Sequence, residues 1–287
     1  RLTSLLMLVF SVSPLLAPQA GSGVIALMGW RGVFGAVAIA AVAGLVLVSQ
    51  GLHETRPASE RRESSLASAL AGYGLLLRDV HYLGLVFIGG CSMAGFFVYL
   101  AGSPFVLINH YGLSPVEYSL AFSVNAAAFF VAAQFNARLG RRFGLVPTVK
   151  FAVSAAGLVM LALLAYYLAG GDALAVLLAL YFVASGFMGL VIPTTSVLAL
   201  EEHGAIAGTA SALLGTLQML IGAAAMGVVG IFANGEPLPM VIGMAAGALV
   251  GVALTWLTLG GARAHRVASG QNVGKAGNAS HIEKAPR

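Results

Sequence analysis

The chain has 287 residues, of which 59% are apolar and 9% are charged, against about 25% charged residues in a soluble domain. This composition excludes an ordinary soluble enzyme and predicts an integral membrane protein. The net charge is +5, and the lysine and arginine residues that produce it lie mostly between apolar runs. This distribution is explained by membrane topology and argues against a nucleic-acid partner. Cys91, the one cysteine, lies in an apolar run and cannot form an intrachain disulfide.

Eight apolar stretches are long enough to cross a bilayer, because about 20 helical residues span roughly 30 Å of hydrocarbon. The runs are continuous, without the alternation of an outer-membrane barrel. The sequence therefore predicts an all-α, polytopic transmembrane helix bundle of eight spans. In chain order these are about Leu2–Met28, Val33–Leu52, His81–Ile108, Val116–Phe135, Val146–Leu168, Ala173–Leu200, Ala207–Ala233 and Met240–Leu259.

The first span contains an unusual segment, Ser11–Gly23, in which Pro14 and Pro18 precede Gly21 and Gly23. Each proline removes a backbone donor and clashes with the preceding turn, so in lipid the neighbouring helices must support the bend. We predict a bent helix at a seam between two bundles, with Pro14, Pro18 and Gly21 at the seam. The proline face should be exposed to lipid or lean on the later spans.

Positive charge is distributed very unevenly among the connections. Of the 15 lysine and arginine residues, 14 lie on one side of the predicted bundle: at Arg1, in the connection 53–80, in the region 136–150 and in the tail. Arg31 lies on the other side. By the positive-inside rule the first side is cytoplasmic. Both ends of the chain are then cytoplasmic, which agrees with an even number of spans.

The connection 53–80 is the longest and is the predicted boundary between two bundles. It separates the spans of residues 1–52 from those of 81–259. Its amphipathic stretch Leu66–Leu77 could form a helix at the membrane interface. The polar tail, 260–287, is predicted to be disordered.

The polar residues inside the spans are neutral. All ten aspartates and glutamates fall in connections, at span ends or in the tail, whereas intramembrane ionisable residues usually mark ion coupling. The neutral residues either line a substrate path or form interhelical hydrogen bonds worth about 0.6 kcal/mol on average. As a set they favour a cavity lining, and the lining residues that we predict are Tyr99, Asn125, Met188 and Gln218.

Small residues repeat on two of the later spans. Gly243, Gly247 and Gly251 recur every four residues in the last span, and Gly208–Ala212 and Ala223–Gly227 have the same spacing in the seventh. Such faces let helices approach closely. We therefore predict that they serve packing.

Motifs of catalysis and cofactor binding are missing from the sequence. The six histidines are peripheral and no pair has metal-ligand spacing. There is no Gly-x-Ser-x-Gly elbow and no P-loop. We expect no catalytic residue, no metal site and no cofactor, and an intramembrane enzyme is disfavoured.

Several longer motifs are specific in combination. They are RLTSLLMLVF with the LAP that follows it, GWRGVF at 29–34, HETRP at 53–57, AGSPFVLINHYGLSP at 101–115, NARLGRRFG at 136–144, GLVIPTTSVLAL at 189–200 and AGTASALLGTLQMLIGA at 207–223. With these motifs the chain resembles the drug-resistance transporters of the Bcr/CflA type, within the major facilitator superfamily. The resemblance runs from Arg1 to about Leu259.

The resemblance implies a partial major facilitator fold. Such transporters have twelve spans in two six-helix halves, and the spans here match the fifth to the twelfth. Residues 1–52 would then hold the last two spans of the N-terminal half, 53–80 the central cytoplasmic loop and 81–259 the C-terminal half. The first four spans would be missing, and with them the proton-coupling carboxylate.

Two motifs acquire a role from the resemblance. Ser11–Gly23 is similar to the antiporter signature of the fifth span, although its core replaces two of the usual glycines. NARLGRRFG is similar to the basic cytoplasmic loop motif, with Ala137 where an acidic residue is usual. The resemblance implies that this loop takes part in gating, through Arg138, Gly140, Arg141 and Arg142.

The function implied is efflux of small hydrophobic drugs by proton antiport with alternating access. The expected partners are drugs, protons and the lipid bilayer of a bacterial inner membrane. The alternative is a truncated, transport-inactive fragment that persists as a membrane-embedded binding or assembly remnant. The sequence leaves the oligomeric state open.

Overall fold

The computed structural model describes residues 2–51 and 66–260, which fold into helices joined by short connections. Two of the helices begin at a side-chain cap: the Asp79 carboxylate accepts hydrogen bonds from the N–H groups of His81 and Tyr82, and Ser114 and Glu117 form a capping box. The α-helices of the described residues are α1 (Leu2–Gly51), α2 (Leu66–Leu76), α3 (Val80–Pro104), α4 (Pro115–Gln134), α5 (Asn136–Phe143), α6 (Leu145–Leu168), α7 (Leu174–Glu201), α8 (Ala207–Ile231) and α9 (Pro237–Leu259).

Seven helices of the described residues are long and apolar enough to cross a membrane. A π-helical turn, Phe105–His110, extends α3. The bounds of the last six spans differ from the predicted ones by three residues or fewer. The all-α membrane bundle is therefore confirmed.

The first two predicted spans belong to one long helical segment in the structure. α1 runs from Leu2 to Gly51 and is interrupted at Gly29, where φ is 70° and ψ is 179°. That backbone conformation is accessible essentially to glycine alone. Helical hydrogen bonding resumes directly after this residue, so the predicted connection Gly29–Gly32 reduces to a break at one residue.

The core lies around α3, which packs against α7, α8 and α9, while α6 fills the space between α7 and α9. Buried side chains form two clusters, one at each end of α3. By contrast, α1 packs chiefly on α4, where the Ser22 and Ser119 hydroxyl oxygens are 3.3 Å apart. The rest of its described surface is open, and Leu27 is 88% exposed.

The glycines of α9 serve helix packing, as predicted. A Cβ atom on Gly247 would lie 3.3 Å from the carbonyl oxygen of Cys91 in α3, and one on Gly251 would lie 3.3 Å from the Cys91 Cβ. The prediction is wrong for Gly208 and Gly227, the glycines of the two predicted repeats in α8. Gly208 and Gly227 have no atom of the described residues within 4 Å of a built Cβ, because their faces point away from α3.

Contacts between histidine and carboxylate side chains join the connections at both ends of the bundle. At one end His110 Nε2 lies 2.8 Å from Asp172 and its Nδ1 lies 3.3 Å from Glu236. At the other end His203 lies 3.2 Å from Asp79. Connections that the charge pattern assigns to the same side of the membrane therefore meet at the same end.

The helix expected in the central connection forms over Leu66–Leu76 and packs on α8. Gly72 leaves room for Thr209, and Leu76 is fully buried. The remainder of that connection, 52–65, and the tail 261–287 lie outside the described residues. The division into two halves stays a prediction.

Candidate functional site

A cavity of about 270 Å³ lies between α3, α4 and α7. Its volume is near the lower end of the range for ligand pockets, about 300–1,000 Å³. Its wall is apolar apart from one amide, one serine and two phenols, and it contains no charged side chain among the described residues. Six aromatic rings contribute to the wall: Phe96, Tyr99, Phe122, Phe129, Phe130 and Tyr181.

The rings of three aromatic residues run nearly parallel along this wall. Tyr99 stacks on Tyr181 with ring centroids 3.8 Å apart and an interplanar angle of 22°. The ring of Phe122 has its centroid 6.1 Å from that of Tyr99, at an interplanar angle of 18°. Stacking of this kind stabilises the aromatic wall and holds its rings in place.

Asn125 supplies the amide of the cavity. It lies in the middle of α4 and is 4% exposed. Its Nδ2 donates a hydrogen bond of 3.1 Å to the Tyr99 hydroxyl. Its Oδ1 is buried and has no hydrogen-bond partner among the described residues. An unpaired buried polar atom costs free energy, and this oxygen is an unsatisfied acceptor on a residue that lines the cavity.

The structure brings together three of the four predicted lining residues. Tyr99, Asn125 and Met188 all border the cavity. Gln218 does not; it is buried in α8, where Gly89 of α3 leaves room for its amide. Contact of any of these residues with a substrate stays a prediction.

A proline in α7 lies beside the cavity and is supported from α5. Pro193 has no N–H to donate to the carbonyl of Gly189 one turn earlier. That carbonyl instead accepts a hydrogen bond of 3.3 Å from Asn136 Nδ2, at the start of the NARLGRRFG motif. Asn136 Oδ1 in turn accepts from the Thr194 hydroxyl. The first residue of the basic motif therefore bonds α7 at the turn where Pro193 leaves a carbonyl without its backbone partner.

Two of the hydroxyls that follow Pro193 serve the helix itself. Thr195 and Ser196 donate to the carbonyl oxygens four residues earlier, at 2.9 and 2.8 Å. The single proton of the Thr194 hydroxyl has two acceptors within reach, Asn136 Oδ1 and the Leu190 carbonyl oxygen. Such bonds often bend a helix.

The predicted gating residues lie on the short helix α5, which the sequence analysis had treated as a connection. Arg138, Arg141 and Arg142 are exposed, and Gly140 leaves room for Leu145 at the start of α6. Gly144, with φ of 87°, makes the turn between the two helices. Their role in gating stays a prediction.

The predicted seam residues lie in α1. Pro14 and Pro18 are within the helix, and their side chains lie outside the described part of the structure. Gly21 is partly buried, and the neighbouring Ser22 makes the contact with Ser119 of α4. The described side chains therefore place this segment against one later helix.

Sequence reasoning missed several lining residues, although a signal was present. Phe122, Asn125 and Phe129 recur at spacings of three and four in α4, and Tyr181, Ser185 and Met188 do so in α7. Residues at these spacings share one helix face. The two faces could have been found from the sequence, but not the fact that they meet.

Comparison with known proteins places this architecture in a family. The model of the Major Facilitator Superfamily matches residues 1–227. An uncharacterised MFS-type transporter of Bacillus subtilis, YdgK, is 33% identical over 79% of the chain and 57% of its own length. The bicyclomycin resistance protein homolog of Haemophilus influenzae is 25% identical over 88% of the chain and 63% of its own length.

Multidrug resistance protein D of Escherichia coli is 30% identical over 75% of the chain. The chain spans 53–63% of the length of these three relatives. Each match extends across several of the spans described above, and the family model covers well over half of the sequence. The chain therefore belongs to the Major Facilitator Superfamily.

Proposed function

We propose that the chain is part of a secondary-active multidrug exporter, which exchanges small hydrophobic drugs for protons by alternating access. The observation that carries this proposal is the aromatic, charge-free cavity between α3, α4 and α7. Ligand sites for apolar compounds are lined in this way, with few polar groups that fix orientation. The names of two similar proteins, which refer to bicyclomycin resistance and multidrug resistance, support the same substrate class.

The proposal includes a topology. We propose eight spans, with α1 crossing the membrane twice around Gly29, in a bacterial inner membrane with both ends of the chain cytoplasmic. The break at Gly29 and the charge asymmetry of the connections support it. The arginines of α5 would then face the cytoplasm as part of the gate.

Proton coupling needs a group that is protonated and deprotonated in turn. The carboxylates of the described residues lie at helix ends or in connections: Asp79, Glu117, Asp172, Glu201, Glu202 and Glu236. We therefore propose that the coupling carboxylate belongs to spans other than these, as the resemblance implies. The seam helix with Pro14 and Pro18 would connect those spans to the cavity.

The test is transport by the purified longer protein in proteoliposomes. A fluorescent hydrophobic drug should move against its gradient when a proton gradient is imposed, and a protonophore should abolish the movement. Drug accumulation that is the same with and without the gradient would contradict proton coupling. A control with empty liposomes measures passive partitioning.

A second candidate function is ligand binding without transport. It is favoured because the cavity is complete within one group of three helices of this chain. Binding of the drug to the chain as it stands, without gradient-driven accumulation in the same liposomes, would favour this alternative. Accumulation that follows the proton gradient would exclude it.

A further inference from the structure

We propose that the cavity selects neutral, flat aromatic compounds that carry a hydrogen-bond donor, and that Asn125 Oδ1 is the acceptor that selects them. This inference rests on the proposed function, because it concerns the cavity assigned there to the substrate. It goes further in naming the ligand chemistry and the residue that reads it.

The acceptor is built into the site. Asn125 is 4% exposed, so its amide is held inside the protein. The hydrogen bond from Nδ2 to the Tyr99 hydroxyl holds the amide, and Oδ1 is left unpaired among the described residues. A ligand N–H or O–H group that reaches this oxygen removes the cost of leaving it unsatisfied. A ligand without a donor does not.

Two other polar lining groups already make a hydrogen bond. Ser185 donates 2.7 Å to the carbonyl oxygen of Tyr181, and the Tyr99 hydroxyl oxygen accepts from Asn125. Among the described residues that line the cavity, Asn125 Oδ1 is the buried acceptor without a hydrogen-bond partner. A compound that places an acceptor next to this oxygen gains no hydrogen bond, and the two partial negative charges repel each other.

The shape and charge of the ligand follow from the wall. Six aromatic rings form the wall, and Tyr181, Tyr99 and Phe122 are nearly parallel, with interplanar angles of 22° and 18°, so a flat ligand ring can pack against this wall in an offset or edge-to-face arrangement. The described lining contains no carboxylate to pair with a cation. Burial of an unpaired charge is costly, so the neutral form of a compound is favoured.

The experiment uses three tricyclic compounds of nearly identical shape. Carbazole has an N–H donor, fluorene has a CH₂ group in the same place, and dibenzofuran has an acceptor oxygen there. Binding to the chain in lipid nanodiscs is measured by carbazole fluorescence, with the other two as competitors. Protein-free nanodiscs give the partitioning of each compound into lipid.

Carbazole should bind about 2- to 12-fold more tightly than fluorene, the ratio that one net hydrogen bond provides, and dibenzofuran should bind no better than fluorene. In Asn125→Leu the ratio of the carbazole affinity to the fluorene affinity should fall to about one. The change in this ratio between the unmodified protein and the variant measures the coupling between Asn125 and the N–H group of the ligand. In the control Gln218→Leu, which replaces a buried amide that lies away from the cavity against Gly89, the ratio should be retained.

Equal affinities of the three compounds for the unmodified protein would overturn the inference, and so would a preference for dibenzofuran. An unchanged ratio in Asn125→Leu would also overturn it. Failure of all three compounds to bind would overturn the inference together with the substrate site of the proposed function. Selective binding of carbazole without gradient-driven transport would leave the inference standing and contradict the exporter.

Discussion

A single histidine ties together three connections that are far apart in the sequence. His110 pairs with Asp172 and Glu236, and the Tyr111 hydroxyl donates to Asp172 at 2.7 Å. The hydrogen bonds from Tyr111 and His110 lower the pKa of the Asp172 carboxyl below its ordinary value. A lowered pKa means that the ionised carboxylate of Asp172 stabilises the folded state.

The sign of the pH dependence follows from that shift. The stabilisation by Asp172 is fully present above the ordinary aspartate pKa of about 3.9 and is lost as the pH falls through the lowered folded-state pKa. Asp172→Asn should lower the melting temperature at pH 6 by a few degrees or less, because the carboxylate is exposed and screened. The loss of stability between pH 5 and pH 3, set from the same reference pKa of about 3.9, should be smaller in this variant.

The measurement is thermal unfolding of the detergent-purified protein across that pH range. Glu202→Gln is the control, because Glu202 is an exposed carboxylate near the opposite end of the bundle. A pH profile of Asp172→Asn that coincides with that of the unmodified protein would show that the tie at His110 does not stabilise the fold.

At the scale of helices, the crossing of α4 and α7 depends on one missing side chain. A Cβ atom on Gly189 would lie 2.1 Å from the carbonyl oxygen of Phe129, which backbone atoms cannot accommodate without moving. The residue whose carbonyl is approached, Phe129, also lines the cavity. The close approach therefore sets both the packing of the two helices and the shape of the site.

Gly189→Ala should push α4 away from α7 and destabilise the protein by about 1–3 kcal/mol, as overpacking does elsewhere. The variant should also weaken binding of carbazole in the cavity. Both effects can be measured by unfolding in detergent mixtures and by ligand fluorescence.

The matched control is Gly186→Ala, one turn earlier on α7. A Cβ atom there would have its nearest neighbours at 3.9 and 4.0 Å, which is ordinary contact. This variant should be neutral or stabilised by up to about 1 kcal/mol, because alanine favours the helix. Equal destabilisation by the two variants would show that the approach at Phe129 is not the cause.

For the whole molecule, the decisive quantity is the side of the membrane on which each connection lies. Contacts at the two ends of the bundle show which connections lie together, while the charge pattern predicts which end is cytoplasmic. The number of times that α1 crosses the membrane needs an experiment, because two spans are proposed to meet at its single break, Gly29.

Cysteine labelling tests this topology in a Cys91→Ala background. The label is a membrane-impermeant maleimide, applied to bacterial cells whose outer membrane is permeabilised and whose inner membrane is intact. It should react with Trp30→Cys and Ala169→Cys, because both residues are exposed at the proposed outer face. Ala137→Cys and Glu202→Cys should react after permeabilisation of the inner membrane. Protection of Trp30→Cys until that step would contradict two crossings by α1 and with them the eight spans.

The sequence by itself determined the membrane class, the bounds of the last six spans and the family. These follow from local properties, because a helix crosses the bilayer when about 20 consecutive residues are apolar and a motif is read along the chain. It also identified Tyr99, Asn125 and Met188 as residues worth following, since polar or soft side chains stand out in such spans.

The tertiary structure alone decided which of those residues meet. Gln218 is as buried as Asn125, yet it faces Gly89 and lies away from the cavity, and sequence spacing cannot reveal the rotation of α8. The hydrogen bond from Asn125 to Tyr99, the approach of Gly189 to Phe129 and the pairing of His110 with Asp172 depend on the rotation and crossing of whole helices. Those are set by the packing of side chains far apart in the chain, and the binding properties of the cavity follow from them.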